Sequence, residues 1–129
     1  MLDTNIVSEL ARNPQGVVFD RIQACGADAV CVSVITAAEL RFGCAKKGSP
    51  RLTAQIETIL QGVQVLPFEV PADAEYGRIR SELERAGTHI GPNDVLIGAH
   101  ACAVGAVLVT ANDAAFRRIR NLQVETWLD

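Results

Sequence analysis

At 129 residues, with 49% hydrophobic and 21% charged residues, the chain is long enough for a single globular domain over residues 1–129 with a core of its own. The formal charge of −3 excludes the overall positive field that announces many nucleic-acid binders, although carboxylates gathered at one metal site would mask local basic patches. Cys25, Cys31, Cys44 and Cys102 form no C-x-x-C pair, which argues against a zinc ribbon or a disulfide framework and for reduced, buried thiols of a cytoplasmic protein.

Met1-Leu2-Asp3 carries no basic n-region and no long apolar segment, so no signal peptide is expected. It reads as the end of a short buried strand, with Asp3 at the strand's C-terminal end. Thr4 to Leu10 turns into a helix that stops before Asn13-Pro14. Asn13 is expected to cap a second helix with Pro14 as its first residue, Val18, Ile22 and Cys25 on one face, and Gly26 at its end. Ala29 to Val32 is the second strand. Ser33 or Thr36 caps the next helix, Ile35 to Ala45, where Glu39 stands between Ala38 and Leu40.

Lys46-Lys47-Gly48-Ser49-Pro50 is a basic turn. Ser49 as cap and Pro50 as first residue then open a helix in which Leu52, Ile56, Ile59, Leu60 and Val63 recur at helical spacing. Gln64 to Phe68 is the third strand. Pro71 opens an amphipathic helix with Ala72, Tyr76, Ile79, Leu83 and Ala86 on one stripe, closed by Gly87.

The most informative stretch is Ile90-Gly91-Pro92-Asn93-Asp94, which runs into an almost wholly apolar helix. Asn93 is the expected N-cap and Asp94 falls in the first turn, where free backbone N–H groups favour a carboxylate. A helix apolar on nearly every side is expected to be buried all round, its first turn included, and a buried carboxylate needs a partner. No charged residue lies between Asp94 and Asp113, but Gly98, His100 and Gly105 interrupt the run and exclude a membrane span. Ala106 to Thr110 fits a strand buried on both faces. Ala111-Asn112-Asp113 follows it, Phe116 begins a short basic helix, and Val124 to Trp127 is the last strand.

Short strands alternating with helices define an α/β chain with a mainly parallel sheet of four to five strands flanked by helices on both faces. In such a sheet ligands bind beyond the carboxyl ends of the strands. Asp3 and Asn112-Asp113 follow strand ends, and Glu39 and Asp94 lie early in helices that pack against the same edge. Carboxylates converging there repel one another unless a divalent cation is shared, and an all-oxygen set points to Mg²⁺ or Mn²⁺. Each acid alone has an ordinary reading: Asp3 as a turn cap, Glu39 as a helix-surface acid, Asp94 as a helix-start acid.

Leu2-Asp3-Thr4-Asn5, Thr36-Ala37-Ala38-Glu39-Leu40, Ile90-Gly91-Pro92-Asn93-Asp94 and Val109-Thr110-Ala111-Asn112, in this order, resemble the PIN domain, and more narrowly the VapC-type toxin ribonucleases. Phe42-Gly43 and Glu125-Thr126-Trp127 extend the resemblance. It implies an Mg²⁺- or Mn²⁺-dependent endoribonuclease of a toxin–antitoxin system, with tRNA among the RNA substrates to consider, a homodimer, and a cognate VapB-type antitoxin. Asp3, Glu39 and Asp94 match the family's three acidic positions, and Thr4, Asn5 and Thr110 its small polar ones. Many relatives carry a fourth acid where this chain has Asn112 or Ala115, which leaves Asn112 and Asp113 as alternative contributors to the metal site. Under the RNA reading, Arg41, Lys46 and Lys47 are the candidate phosphate contacts.

Three other functions compete. A PIN-like fold with weakened chemistry would serve as a binding module. A phospho-receiver domain would also place acids after its first strand, but Asp3 lacks a preceding acid and no lysine follows the last strand. A metal-independent ribonuclease would use His89 and His100 as an acid–base pair.

Overall fold

The computed structural model describes residues 1–128. Its sheet is built outward from the first three residues. Asp3 N donates to Val109 O at 2.9 Å and Val109 N to Met1 O at 2.8 Å, which pairs the segment in parallel with β3 (Leu108–Val109). On the other side Leu2 N donates to Cys31 O at 2.9 Å, reaching β1 (Cys31–Ser33). β1 pairs in parallel with β2 (Gln64–Leu66), Cys31 opposite Gln64, and β3 pairs in parallel with β4 (Val124–Glu125), Leu108 opposite Val124. The order across the sheet is therefore β2, β1, residues 1–3, β3, β4. The strands are two or three residues long, shorter than the apolar runs that announced them.

Side chains alternate across a strand, and the core divides accordingly. Leu2, Val32 and Val109 face one cluster with Ile6, Val7, Val18, Leu40, Ile56 and Leu60; Met1 and Leu108 face the other with Ile79, Leu83, Val95, Ile97 and Phe116. The first cluster is covered by α1 (Thr4–Arg12), α2 (Val17–Cys25), α3 (Val34–Lys47) and α4 (Pro50–Gly62). The second is covered by α5 (Ala72–Arg85), α6 (Pro92–Val104) and the short α7 (Asp113–Phe116).

Several boundaries differ from the sequence expectation. Asn13 does not cap α2; it ends α1, its amide donating to Glu9 O at 2.8 Å and its side chain to Glu9 Oε1 at 2.7 Å, and α2 starts after Gly16. Ala27–Ala29 forms a 3₁₀ turn instead of the start of a strand. Ser33, not Thr36, caps α3, its Oγ accepting from Ile35 N at 3.0 Å. Ser49 caps α4 as expected, accepting from Leu52 N at 3.2 Å. Phe116 ends α7 where it was expected to begin a helix, because its ring is drawn fully into the second cluster.

α6 departs most from expectation at its start. Pro92 takes the first helical position, for which its fixed φ is suited, so the cap falls on Gly91 and Asn93 lies inside the first turn. That turn is exposed at Pro92 and Asn93 and half-buried at Asp94; full burial begins at Val95 and runs, Leu96 apart, to Ala101. The close fit is visible at Gly98, where a Cβ would come within 2.6 Å of Ile119 Cδ1. Among the described residues no helix is long and apolar enough to cross a membrane.

Candidate active site

Asp3 leaves the central strand segment at its carboxyl end and caps α1. Its Oδ1 accepts from Thr4 N at 2.8 Å; its Oδ2 accepts from Thr110 Oγ1 at 2.7 Å and Asn5 Nδ2 at 3.3 Å. The carboxylate is almost wholly buried, and burial pushes its pKa up; the Thr110, Thr4 and Asn5 donors pull the other way, and Glu39 adds to the rise. Thr110 Oγ1 also accepts from Asn112 N at 2.9 Å, and Asn5 Oδ1 accepts from Ala111 N at 3.0 Å. Asp3 and the loop after β3 are thus locked together by two polar side chains, each bonded at both ends.

Glu39 lies in the second turn of α3, half-buried. Thr4 Oγ1 donates to its Oε1 at 2.6 Å and Asn93 Nδ2 to its Oε2 at 3.2 Å. The Asn93 contact was not anticipated. Placing Pro92 at the first helical position would have freed this side chain from capping and turned it toward α3.

Asp94, in the first turn of α6, has its pKa pushed up to about 6, first by desolvation, then by the negative charges of Asp3 and Glu39. The Asn112 side chain acts in the opposite sense, as a hydrogen-bond donor. The three acids are therefore electrostatic neighbours, and none has an ion-pair partner among the described residues. Among those residues no group of three or more His, Cys, Asp or Glu side chains is placed to hold a metal ion as the side chains stand.

The remaining candidates separate into near and far. Asn112 borders the cluster. Asp113 is the first residue of α7 and not its cap, and its carboxylate turns outward to Arg117 Nε at 3.3 Å. Arg41 is held by Glu57 in a two-pronged pair at 3.0 Å and 3.0 Å. Lys46 is exposed, and Lys47 stands on the rim of a cavity that also reaches Thr4 and Glu39. His89 lies in a separate pocket with Tyr76 and Arg80, and His100 is only 1% exposed, so no histidine pair faces the acids.

A parallel sheet of short strands with acids gathered beyond its carboxyl edge is the arrangement of the PIN domain, and the profile of that family matches residues 1–122. Over 129 residues the chain is 38% identical to ribonuclease VapC2 of Haemophilus influenzae, covering 99% of this chain and 97% of the relative. It is 36% identical over 128 residues to the tRNA(fMet)-specific endonuclease VapC of Shigella flexneri, covering 98% and 96%. Two solved structures superpose closely: VapBC2 of Rickettsia felis bound to a promoter DNA fragment (TM-score 0.91, 33% identity, 99% of this chain and 98% of that one) and DNA-bound VapBC of Salmonella typhimurium (0.92, 35%, 99% and 97%). The chain belongs to the PIN-domain family, in its VapC branch.

Proposed function

We propose that this chain, as one PIN domain over residues 1–129, is the toxin of a toxin–antitoxin pair: an endoribonuclease that hydrolyses RNA phosphodiesters with Mg²⁺ or Mn²⁺. The observation that carries this reading is the unpaired charge at the sheet edge, where Asp3 and Glu39 help push the Asp94 pKa up to about 6 and none of the three has an ion-pair partner among the described residues. The donor set fits a hard divalent cation. All the oxygens are carboxylate or amide, and no histidine or cysteine completes a softer site.

Asp3, Glu39 and Asp94 would hold the cation, which supplies positive charge for the phosphodiester and acidity for the attacking water. The chain's own residues fix these ligands in advance. Thr110 and Asn5 hold one oxygen of Asp3, leaving its carboxylate a single orientation. Thr4 and Asn93 take one oxygen each of Glu39 and hold it against the α6 side of the site. Asn112 favours the ionised form of Asp94, the form a cation requires. Lys46 and Lys47, free of ion pairs among the described residues, are available to RNA phosphates; Arg41 is already committed to Glu57.

The VapBC complexes among the structural neighbours support a VapB-type antitoxin as partner; a homodimer in the cytoplasm is the working form proposed with it. An apolar groove of about 430 Å³ between α1, α2 and α4, lined by Leu10, Phe19, Ala54 and Ile59, offers the antitoxin a seat. The kinship with a tRNA-specific endonuclease makes tRNA the first substrate to test. A second reading, a binding module with weakened chemistry, is favoured by one feature, the amide of Asn112 at the fourth acidic position that the family resemblance implies.

Cleavage-site mapping on total cellular RNA with Mn²⁺ and with chelator separates the two. The nuclease gives discrete cuts with 5′-phosphate ends that vanish in EDTA. No cutting at any Mn²⁺ concentration leaves the binding module, and full cutting in EDTA with 2′,3′-cyclic phosphate ends removes the metal from the chemistry.

A further inference from the structure

Beside the acid cluster, and sharing Thr4 and Glu39 with it, a cavity of about 310 Å³ opens between α1, α3 and α4. Its floor is apolar, formed by Leu40, Cys44, Leu52 and Ile56, and its rim carries Ser8, Arg12 and Lys47. Arg12 is engaged by Glu9 at 2.7 Å, whereas Lys47 has no ion-pair partner among the described residues.

Gly43 lines this cavity in the middle of α3. A glycine inside a helix costs stability relative to alanine, so it normally needs a reason in the packing. Gly98 has one, since a Cβ there would strike Ile119; at Gly43, as at Gly62 and Gly77, a Cβ would meet no atom within 4 Å, and of these three only Gly43 lines the cavity beside the acids. The chain does not need this gap for its own packing, and the gap lies one helical turn beyond Glu39.

The surroundings specify what would fill it. An apolar floor accepts the flat face of an aromatic ring, Ser8 offers a hydroxyl at its edge, and the free Lys47 ammonium suits an anion at the far rim. A second acid is disfavoured at the near end, where Glu39 stands. An unstacked nucleotide has this distribution, a base with its phosphate to one side.

We propose that the cavity bounded by Gly43, Leu40, Ile56, Ser8 and Lys47 is a nucleotide subsite, holding one base of RNA next to the phosphodiester presented to Asp3, Glu39 and Asp94. This rests on the ribonuclease reading and adds to it a pocket that selects the nucleotide flanking the cut.

The test uses Gly43→Leu, which fills the cavity with a good helix former, and Lys47→Ala, an exposed change that does not threaten folding. Binding is measured by fluorescence anisotropy of a labelled tRNA in an Asp94→Asn background, where cleavage is expected to stop, and KM and kcat are measured in the active protein. Gly43→Leu should weaken RNA binding and raise KM at least tenfold, leave kcat and Mn²⁺ binding by calorimetry within twofold, hold or raise the melting temperature, and relax the nucleotide preference beside the cut. Lys47→Ala should weaken binding severalfold and reduce the salt dependence by about one phosphate contact. Unchanged RNA binding and KM in both variants overturns the subsite. So does loss of Mn²⁺ binding in place of RNA binding, which would make the cavity a support for Glu39, and so does loss of dimer or antitoxin binding with RNA binding intact. If the active protein cuts no RNA, the ribonuclease reading fails, while the anisotropy comparison still decides whether the cavity holds a nucleotide.

Discussion

Ser33 Oγ and His100 Nδ1 lie 2.7 Å apart in the interior, joining the cap of α3 to the middle of α6. Ser33 Oγ also accepts from Ile35 N, and with the imidazole neutral either partner can donate in the contact, according to the ring tautomer. Desolvation lowers the His100 pKa and keeps the ring neutral, against the opposing pull of the Pro67 carbonyl and Glu69. The contact joins the two helices that carry Glu39 and Asp94. His100→Phe removes the side-chain partner of Ser33 in the interior, which should cost about 1–3 kcal/mol in thermal or urea unfolding. Ser33→Ala combined with His100→Phe should cost less than the two single losses added together; simple additivity would refute the link.

The same histidine sets an acid-side dependence. Its folded pKa lies below the unfolded value, so the unfolded chain binds the proton first and stability falls as pH drops below about 6.5 toward the folded value. In His100→Phe this contribution to the slope of stability against pH should disappear.

Asp94 works in the opposite direction. Its pKa is raised to about 6 in the fold from an ordinary 3.8, so its contribution to stability is intact below 3.8 and is lost as pH rises through 6. In chelator at neutral pH, Asp94→Asn should therefore stabilise the protein by about 1–2 kcal/mol, the full shift being discounted for partial exposure. The gain should vanish below about pH 4 and cleavage should be lost at every pH. A melting temperature that falls in chelator at neutral pH would make Asp94 mainly a helix-start acid.

How far the site was legible in the sequence can be judged residue by residue. Strand ends and helix starts converging at the edge of a parallel sheet put Asp3 and Asp94 together as candidates, Glu39 was added by its apolar neighbours and the family resemblance, and the fold makes the three electrostatic neighbours. The Asn93 contact was missed because Asn93 and Pro92 compete for the start of α6, and the proline moved the cap back two residues, from Asn93 to Gly91. Likewise Asn13 beside Pro14 carried a strong start signal, but its side chain is spent on Glu9 in the preceding helix. Local rules identify a residue able to cap; which of two helices it caps depends on contacts that only the folded chain supplies.

Thr110 is the most constrained polar side chain of the site, wholly buried, donating to Asp3 and accepting from Asn112 N. Thr110→Val keeps the shape and removes both bonds. It should cost about 1–3 kcal/mol, push the Asp3 pKa further up and raise the Mn²⁺ concentration needed for half-maximal cleavage. Thr110→Ser should restore most of both, which a purely steric role would not predict.

Phe19 is 38% exposed on the wall of the apolar groove between α1, α2 and α4. Phe19→Asp should weaken capture of the VapB-type antitoxin at least tenfold in a pull-down titration while leaving the circular dichroism spectrum and RNA cleavage unchanged. Antitoxin binding as tight as in the parent protein would place the partner on another face.

Asn112 and Asp113 are the two residues that compete for the fourth acidic position that the family resemblance implies, and the fold separates them. Asp113 begins α7 and pairs its carboxylate with Arg117 at 3.3 Å. Asn112 hangs from Thr110 through its backbone N–H, and its side chain favours the ionised form of Asp94. A neutral amide there stabilises the carboxylate without adding a fourth negative charge, so the site should bind its cation more weakly than a four-acid site would. Asp113→Asn should retain most cleavage, losing only an exposed ion pair worth about 0–1 kcal/mol. Asn112→Ala should lower cleavage and raise the Mn²⁺ requirement severalfold, and in chelator it should move the Asp94 pKa further up, which NMR titration of the carboxyl carbon would read directly. Asn112→Asp should tighten Mn²⁺ binding and destabilise the metal-free protein at neutral pH, because a fourth charge joins three already in mutual repulsion. If Asp113→Asn abolishes cleavage as completely as Asp94→Asn, Asp113 is itself a metal ligand and α7 must turn inward when the cation binds.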